Sequence, residues 1–85
     1  MIYFNKRRLA IFTIEHEFDY TVLTTLDEEA NFEDVEVLLD ADVVYICQEI
    51  RDTGKRQVLE LSVQQWTDLV AAMHLPEGAY RGTLL

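Results

Sequence analysis

The chain has 85 residues, of which 49% are hydrophobic and 27% are charged. This length provides for one hydrophobic core, so we predict a single α+β domain over residues 1–85. Sixteen acids against seven Lys and Arg give a formal charge of −9. Direct binding of nucleic acid needs a basic surface, and this charge argues against it. Four Phe, four Tyr and one Trp exclude an intrinsically disordered chain.

The cysteine content and the hydropathy pattern bear on the compartment. Cys47 is the single cysteine, so no disulfide can form within the chain, and a lone thiol is typical of a reducing compartment. No apolar run approaches the ~20 residues that span a bilayer. The N-terminus also lacks the pattern of a secretory signal. We therefore expect a cytoplasmic protein that does not insert into a membrane.

The N-terminal half predicts two strands and an acidic loop. Arg8–Glu17 begins with apolar residues on both alternating faces, which indicates an interior strand. Tyr20–Leu26 is rich in Thr, Val and Tyr, which suit a pleated, half-buried surface. Asp27–Asp34 breaks the periodicity with five acids and predicts a loop or an irregular helical turn. Met1–Lys6 is a candidate for a short edge strand.

The middle of the chain predicts two more strands. Asp34–Asp40 alternates between apolar and acidic residues, which is the pattern of an antiparallel strand with one solvated face. Asp40–Asp42 predicts a tight turn into the strand Val43–Ile50.

A hairpin is predicted to follow. In Asp52–Lys55, Gly54 can adopt a positive φ, and the Asp52 side chain can bond to the backbone two residues on. The return strand is Arg56–Leu61.

The period then changes from 2 to 3.6, which predicts a helix. Ser62 and Gln65 have the spacing of a capping box at its start, and Pro76 discourages continuation at its end. One apolar stripe is expected to be buried against the sheet: Trp66, Leu69, Val70 and Met73. The predicted fold is an antiparallel four- to five-stranded meander with one C-terminal amphipathic helix packed on one face.

Groups that could carry catalysis or bind metal do not converge in this pattern. His16 alternates with Glu15 and Glu17 on a strand, so it points to the opposite face from both. Cys47 has no flanking Lys, Arg or His to activate its thiol, which favours a small buried hydrophobe. The acidic loop Asp27–Asp34 lacks the ligand pattern of an EF-hand. We expect no enzyme activity, no cofactor and no metal.

The distribution of acids is the most informative feature. Twelve acids and no Lys or Arg fall within residues 15–50. One interpretation is a solvated face that keeps the protein soluble, and the other is a surface that binds a basic partner protein, with Tyr20 or Phe32 as an aromatic anchor. The predicted partner-binding residues are Glu15, Glu17, Asp19, Tyr20, Asp27, Glu28, Glu29, Phe32, Glu33, Asp34, Glu36, Asp40 and Asp42.

The C-terminal half carries a series of short motifs. Residues 43–80 contain Tyr-Ile-Cys-Gln, a hairpin, Leu-Ser-x-x-x-Trp, a short helix and Pro-Glu-Gly. This series resembles small uncharacterised proteins of tailed phages, and the resemblance extends to the acidic strand Asp34–Asp40. It implies a phage context, in which genes of this size often encode non-enzymatic inhibitors of host proteins, anti-CRISPR proteins among them.

A second resemblance rests on the hairpin and on Ser62-x-x-Gln65-Trp66. This arrangement is similar to the positive-cofactor-four type coactivators, which bind single-stranded DNA as dimers through four strands and a helix. Those proteins bind DNA through basic strands, whereas the corresponding strands here are acidic apart from Lys55 and Arg56 in the hairpin.

The leading hypothesis is a small acidic, non-enzymatic protein-binding module that inhibits a basic host nucleic-acid-binding protein by mimicking nucleic acid. The alternative is a dimeric single-stranded nucleic-acid-binding protein of the positive-cofactor-four type. A homodimer is compatible with this sequence, although the chain length does not require one.

Overall fold

Five antiparallel strands and one helix make up the computed structural model, which describes residues 11–82. Each strand pairs with the next along the chain, so the sheet order β1-β2-β3-β4-β5 is a meander, and the predicted α+β class is confirmed. The predicted edge strand Met1–Lys6 and residues 8–10 of the first predicted strand lie outside the described residues. The elements are β1 Phe12–His16, β2 Tyr20–Thr25, β3 Val35–Asp40, β4 Val43–Glu49, β5 Arg56–Ser62 and α1 Val63–Ala72.

The pairing register sorts the strand residues into two faces. Ile14, Leu23, Val37, Ile46 and Leu59 are aligned across the five strands and form one aliphatic row. Successive side chains on a strand point to opposite faces, so the neighbouring rows lie on the other side.

We name the two sides by their charge. The uncharged face has no Asp, Glu, Lys or Arg among its described residues, which are Phe12, Ile14, His16, Thr21, Leu23, Thr25, Val35, Val37, Leu39, Val44, Ile46, Gln48, Gln57, Leu59 and Leu61. The acidic face carries every acid of the five strands: Glu15, Glu36, Asp40, Glu49 and Glu60.

Two of the predicted turns are present. Asp40 Oδ1 accepts a hydrogen bond from the Asp42 backbone N–H at 3.2 Å between β3 and β4. In the hairpin between β4 and β5, Gly54 has a φ of 70°, as predicted. The side chain that bonds to the backbone two residues on is Thr53, whose Oγ1 accepts from the Lys55 N–H at 3.2 Å, so the assignment of this role to Asp52 was wrong.

The helix begins where the capping box predicts. Ser62 Oγ accepts from the Gln65 backbone N–H at 3.0 Å, and Gln65 Oε1 accepts from the Ser62 backbone N–H at 3.0 Å. These two bonds satisfy backbone donors that the first turn of a helix leaves unpaired. The helix ends at Ala72, four residues before Pro76.

The predicted burial of the helix stripe is wrong for three of its four residues. Trp66 is half-buried, but Leu69, Val70 and Met73 are each more than half exposed. No loop residue separates β5 from α1, so the helix continues from the edge strand and lies close to only two strands, β5 and β4. It therefore lies along one edge of the sheet, and no other described element packs against either face.

The core within one chain is small. Among the described residues only Val37, Val44 and Cys47 are buried, and they lie on the two central strands β3 and β4. The burial of Cys47 agrees with its interpretation as a small hydrophobe. Within residues 11–82 no helix has the length and apolar character needed to cross a membrane.

Candidate functional site

The thirteen residues predicted to bind a partner are distributed over both ends of the sheet. The sheet has a turn end, made by the β1–β2 and β3–β4 turns, and a loop end, made by the β2–β3 loop and the β4–β5 hairpin. Strands of six residues separate the two ends by about 20 Å. At the turn end lie Glu17, Asp19, Tyr20, Asp40 and Asp42. At the loop end lie Asp27, Glu28, Glu29, Phe32, Glu33 and Asp34. Glu15 and Glu36 lie between them on the acidic face.

The turn end combines acids with exposed aromatic side chains. The Glu17 N–H donates to the Tyr20 carbonyl at 2.8 Å, which closes the β1–β2 turn and places Phe18 at its tip. The Phe18 side chain is fully exposed, with an acid on either side of it in the sequence. Tyr20 is paired in register with Asp40 on the adjacent strand. This end therefore presents two aromatic rings within a group of four carboxylates.

Sequence reasoning missed Phe18. A signal was present, because a large aromatic residue between two acids in a hairpin turn has no strand neighbours to pack against. Aromatic residues often act as energetic anchors of protein interfaces, so the fully exposed Phe18 is a candidate anchor. Phe32 is also exposed, but it lies at the loop end and cannot act with Tyr20 on one small binding element.

The acids of the loop end have structural partners. Asp27 Oδ2 accepts from the backbone N–H groups of Asn31 at 2.8 Å and Phe32 at 3.0 Å, and these bonds hold the β2–β3 loop in shape. Glu33 Oε1 lies 3.0 Å from Arg51 Nε. The Glu33 carbonyl also accepts from Gln48 Nε2 at 3.0 Å, which ties the loop to β4. The loop end is therefore partly neutralised and internally bonded.

The acidic face contains a second ion pair. Arg56 Nη2 lies 2.7 Å from Glu36 Oε1, and this hydrogen bond to Glu36, together with a weaker contribution from Cys47, raises the pKa of Arg56 above its ordinary value. Arg56 is not a sequence neighbour of Cys47, so their contact could not be predicted from flanking residues. Both members of the ion pair remain solvent-accessible, which limits what the pair contributes to stability.

Three of the four basic residues between positions 11 and 82 lie at the loop end, away from the turn end. Among residues 11–82 the Lys and Arg side chains are Arg51, Lys55, Arg56 and Arg81. The first three belong to the β4–β5 hairpin region at the loop end, and two of them are paired with carboxylates. The turn end therefore has the less compensated negative charge of the two ends.

The histidine and the glutamate of β1 lie on opposite faces of the sheet and do not form a common site. His16 Nδ1 lies 3.0 Å from Thr21 Oγ1 on the uncharged face, whereas Glu15 lies on the acidic face. No three His, Cys, Asp or Glu residues between positions 11 and 82 are close enough to hold a metal ion.

One comparison with known proteins gives a match. The family described as Domain of unknown function (DUF8831) matches residues 13–72, which include nearly the whole sheet and all of the helix. No curated protein and no solved structure matches the chain. Since the matched region is more than half of the sequence, the chain belongs to the family Domain of unknown function (DUF8831).

Proposed function

We propose that the protein is a non-enzymatic protein-binding module whose turn end docks on a basic surface of a partner and blocks a nucleic-acid-binding groove there. The observation that carries this proposal is the fully exposed Phe18, held between Glu17 and Asp19 at the tip of a closed turn. An aromatic anchor surrounded by carboxylates suits a partner with an apolar pocket bordered by Lys and Arg.

The charge distribution supports a basic protein as the partner. Twelve of the sixteen acids and none of the seven Lys and Arg fall within residues 15–50. The carboxylates would steer the encounter and make its rate depend on salt, while Phe18 would determine how long the complex lasts. A phage-encoded inhibitor of a host nucleic-acid-binding protein would have this arrangement.

The alternative function, binding of single-stranded nucleic acid, would depend on the loop end. Arg51, Lys55 and Arg56 are the cations available there, and two of them are engaged with Glu33 and Glu36. Single-strand binders usually combine a continuous basic groove with stacking aromatic residues. The paired cations make this alternative the weaker of the two.

The proposal can be tested by competition. A labelled single-stranded oligonucleotide is bound to each of a panel of purified basic nucleic-acid-binding domains, and its release by the full 85-residue chain is followed by fluorescence anisotropy. We expect release from at least one domain. Phe18→Ala should weaken this competition by about 10-fold or more, because a buried aromatic anchor dominates interface energetics.

Matched charge variants locate the site. The double variant Glu17→Lys/Asp19→Lys should weaken competition and reduce its salt dependence, whereas Glu28→Lys/Glu29→Lys makes the same charge change at the loop end and should have a much smaller effect. Equal losses in the two variants would mean that only the overall charge matters. Binding of the oligonucleotide by this protein alone would support the alternative function.

A further inference from the structure

The uncharged face is an extended apolar surface that residues 11–82 leave largely uncovered. Its central aliphatic row is buried only at Val37, while both ends of the row, Ile14 and Leu59, are more than half exposed. Phe12 on the same face is also largely exposed. The helix lies close to β4 and β5 and to no other strand, so within residues 11–82 no element covers β1 and β2 on this side.

The accessible surface of the whole chain is large for its mass. The accessible surface is 7789 Å², whereas a compact monomer of this mass exposes about 5,200 Å². The radius of gyration is 15.0 Å, against about 12 Å for a compact domain of this length. This excess of about 2,600 Å² belongs to the whole chain, and the exposed side chains of the uncharged face contribute to it. One chain's share of an obligate interface is typically about 1,000–2,500 Å².

We propose that the uncharged face is covered by the same face of a second copy of this chain, in a two-fold symmetric dimer of packed sheets. Two such faces meet without burying any Asp, Glu, Lys or Arg of the described strands, so no charge must be desolvated. A two-fold contact uses the same patch on both subunits, and this patch is apolar at its centre and polar at its rim, where Gln48, Gln57 and His16 lie.

The charges on the rest of the molecule are compatible with a second copy of the chain on the uncharged face. A strongly basic partner would gain nothing from a face without carboxylates, whereas a second copy would leave both acidic faces directed outward. Salt reduces the repulsion between two chains of charge −9, so the dissociation constant of the dimer should fall or stay unchanged as the salt concentration rises. Binding of a basic partner at the turn end should respond to salt in the opposite direction, so the dimer does not rest on the proposed function and can be tested separately.

Adjacent residues of β5 provide a matched test. Leu59 is 57% exposed on the uncharged face and Val58 is 56% exposed on the acidic face. We expect sedimentation equilibrium of the full 85-residue chain to give a dimer, twice 9.9 kDa. Leu59→Glu should raise the dimer dissociation constant at least about 100-fold because it places two carboxylates in the interface, whereas Val58→Glu should leave the dimer intact.

A second pair covers the case in which a β5 variant fails to fold. Ile14→Glu and Thr13→Glu make the same comparison on β1 at the other edge of the sheet, and circular dichroism reports whether each variant is folded. Loss of the dimer in the uncharged-face variants alone would support the proposal. A monomeric parent chain would overturn it, whether the face is then bare or covered by residues 1–10. Equal effects of the two members of a folded pair would also overturn it.

Discussion

The two faces of the sheet are built from the same five strands, yet they differ in both charge and neighbours. The uncharged face has an aliphatic side chain from every strand in its central row, while the acidic face carries Glu15, Glu36, Asp40, Glu49 and Glu60. Strand alternation alone produces this separation, because each residue points to the opposite side from the next.

The contacts proposed for the uncharged face and for the turn end differ in their physical basis. Apolar contact on the uncharged face depends on area removed from water and is little affected by salt. Contact at the acidic turn end depends on charge and weakens as salt screens it. Opposite responses to salt would therefore separate the two surfaces experimentally.

The largest expected effect on stability distinguishes the faces at neighbouring positions of β4. Val44 on the uncharged face is 1% exposed, whereas Val43 on the acidic face is half-buried. Val44→Ala should lower the free energy of unfolding by about 2 kcal/mol, since it removes buried methyl groups and leaves a cavity. Val43→Ala should cost clearly less. Urea denaturation at one fixed protein concentration measures both, and equal losses would contradict the deeper burial of Val44.

A smaller effect is expected at the helix cap, which depends on neither face. Ser62→Ala removes the acceptor for the Gln65 N–H and should lower the free energy of unfolding by about 1 kcal/mol. Thr67→Ala is the control, because the Thr67 hydroxyl bonds only to carbonyls of its own helix at Val63 and Gln64. If the two variants unfold alike in urea, the capping box does not stabilise the helix.

Much of the fold could be predicted because its signals are local. The alternation in Asp34–Asp40, the positive φ of Gly54 and the pairing of Ser62 with Gln65 each involve residues close in sequence. The β2 and β3 bounds are also close to those predicted from propensity and periodicity alone.

The arrangement of the site could not be predicted in the same way. The predicted strand Asp34–Asp40 already places Asp27–Asp34 and Asp40–Asp42 at opposite ends, but the pairing of Tyr20 with Asp40 depends on strand order and register and is known only from the structure. The contact of Arg56 with Glu36 and Cys47 likewise crosses strands. The predicted burial of the helix stripe against the sheet was wrong because an apolar stripe indicates a surface that is to be covered but does not identify what covers it.

We expect the uncharged face to be covered in solution and the acidic face to remain exposed, and methyl NMR with a soluble paramagnetic agent measures both. Leu59 and Val58 have nearly the same exposure in a single chain, 57% and 56%. In the parent chain, the Leu59 methyl signals should be shielded from the agent, whereas the Val58 methyl signals should broaden strongly. Equal broadening of the two sets of signals would contradict this expectation.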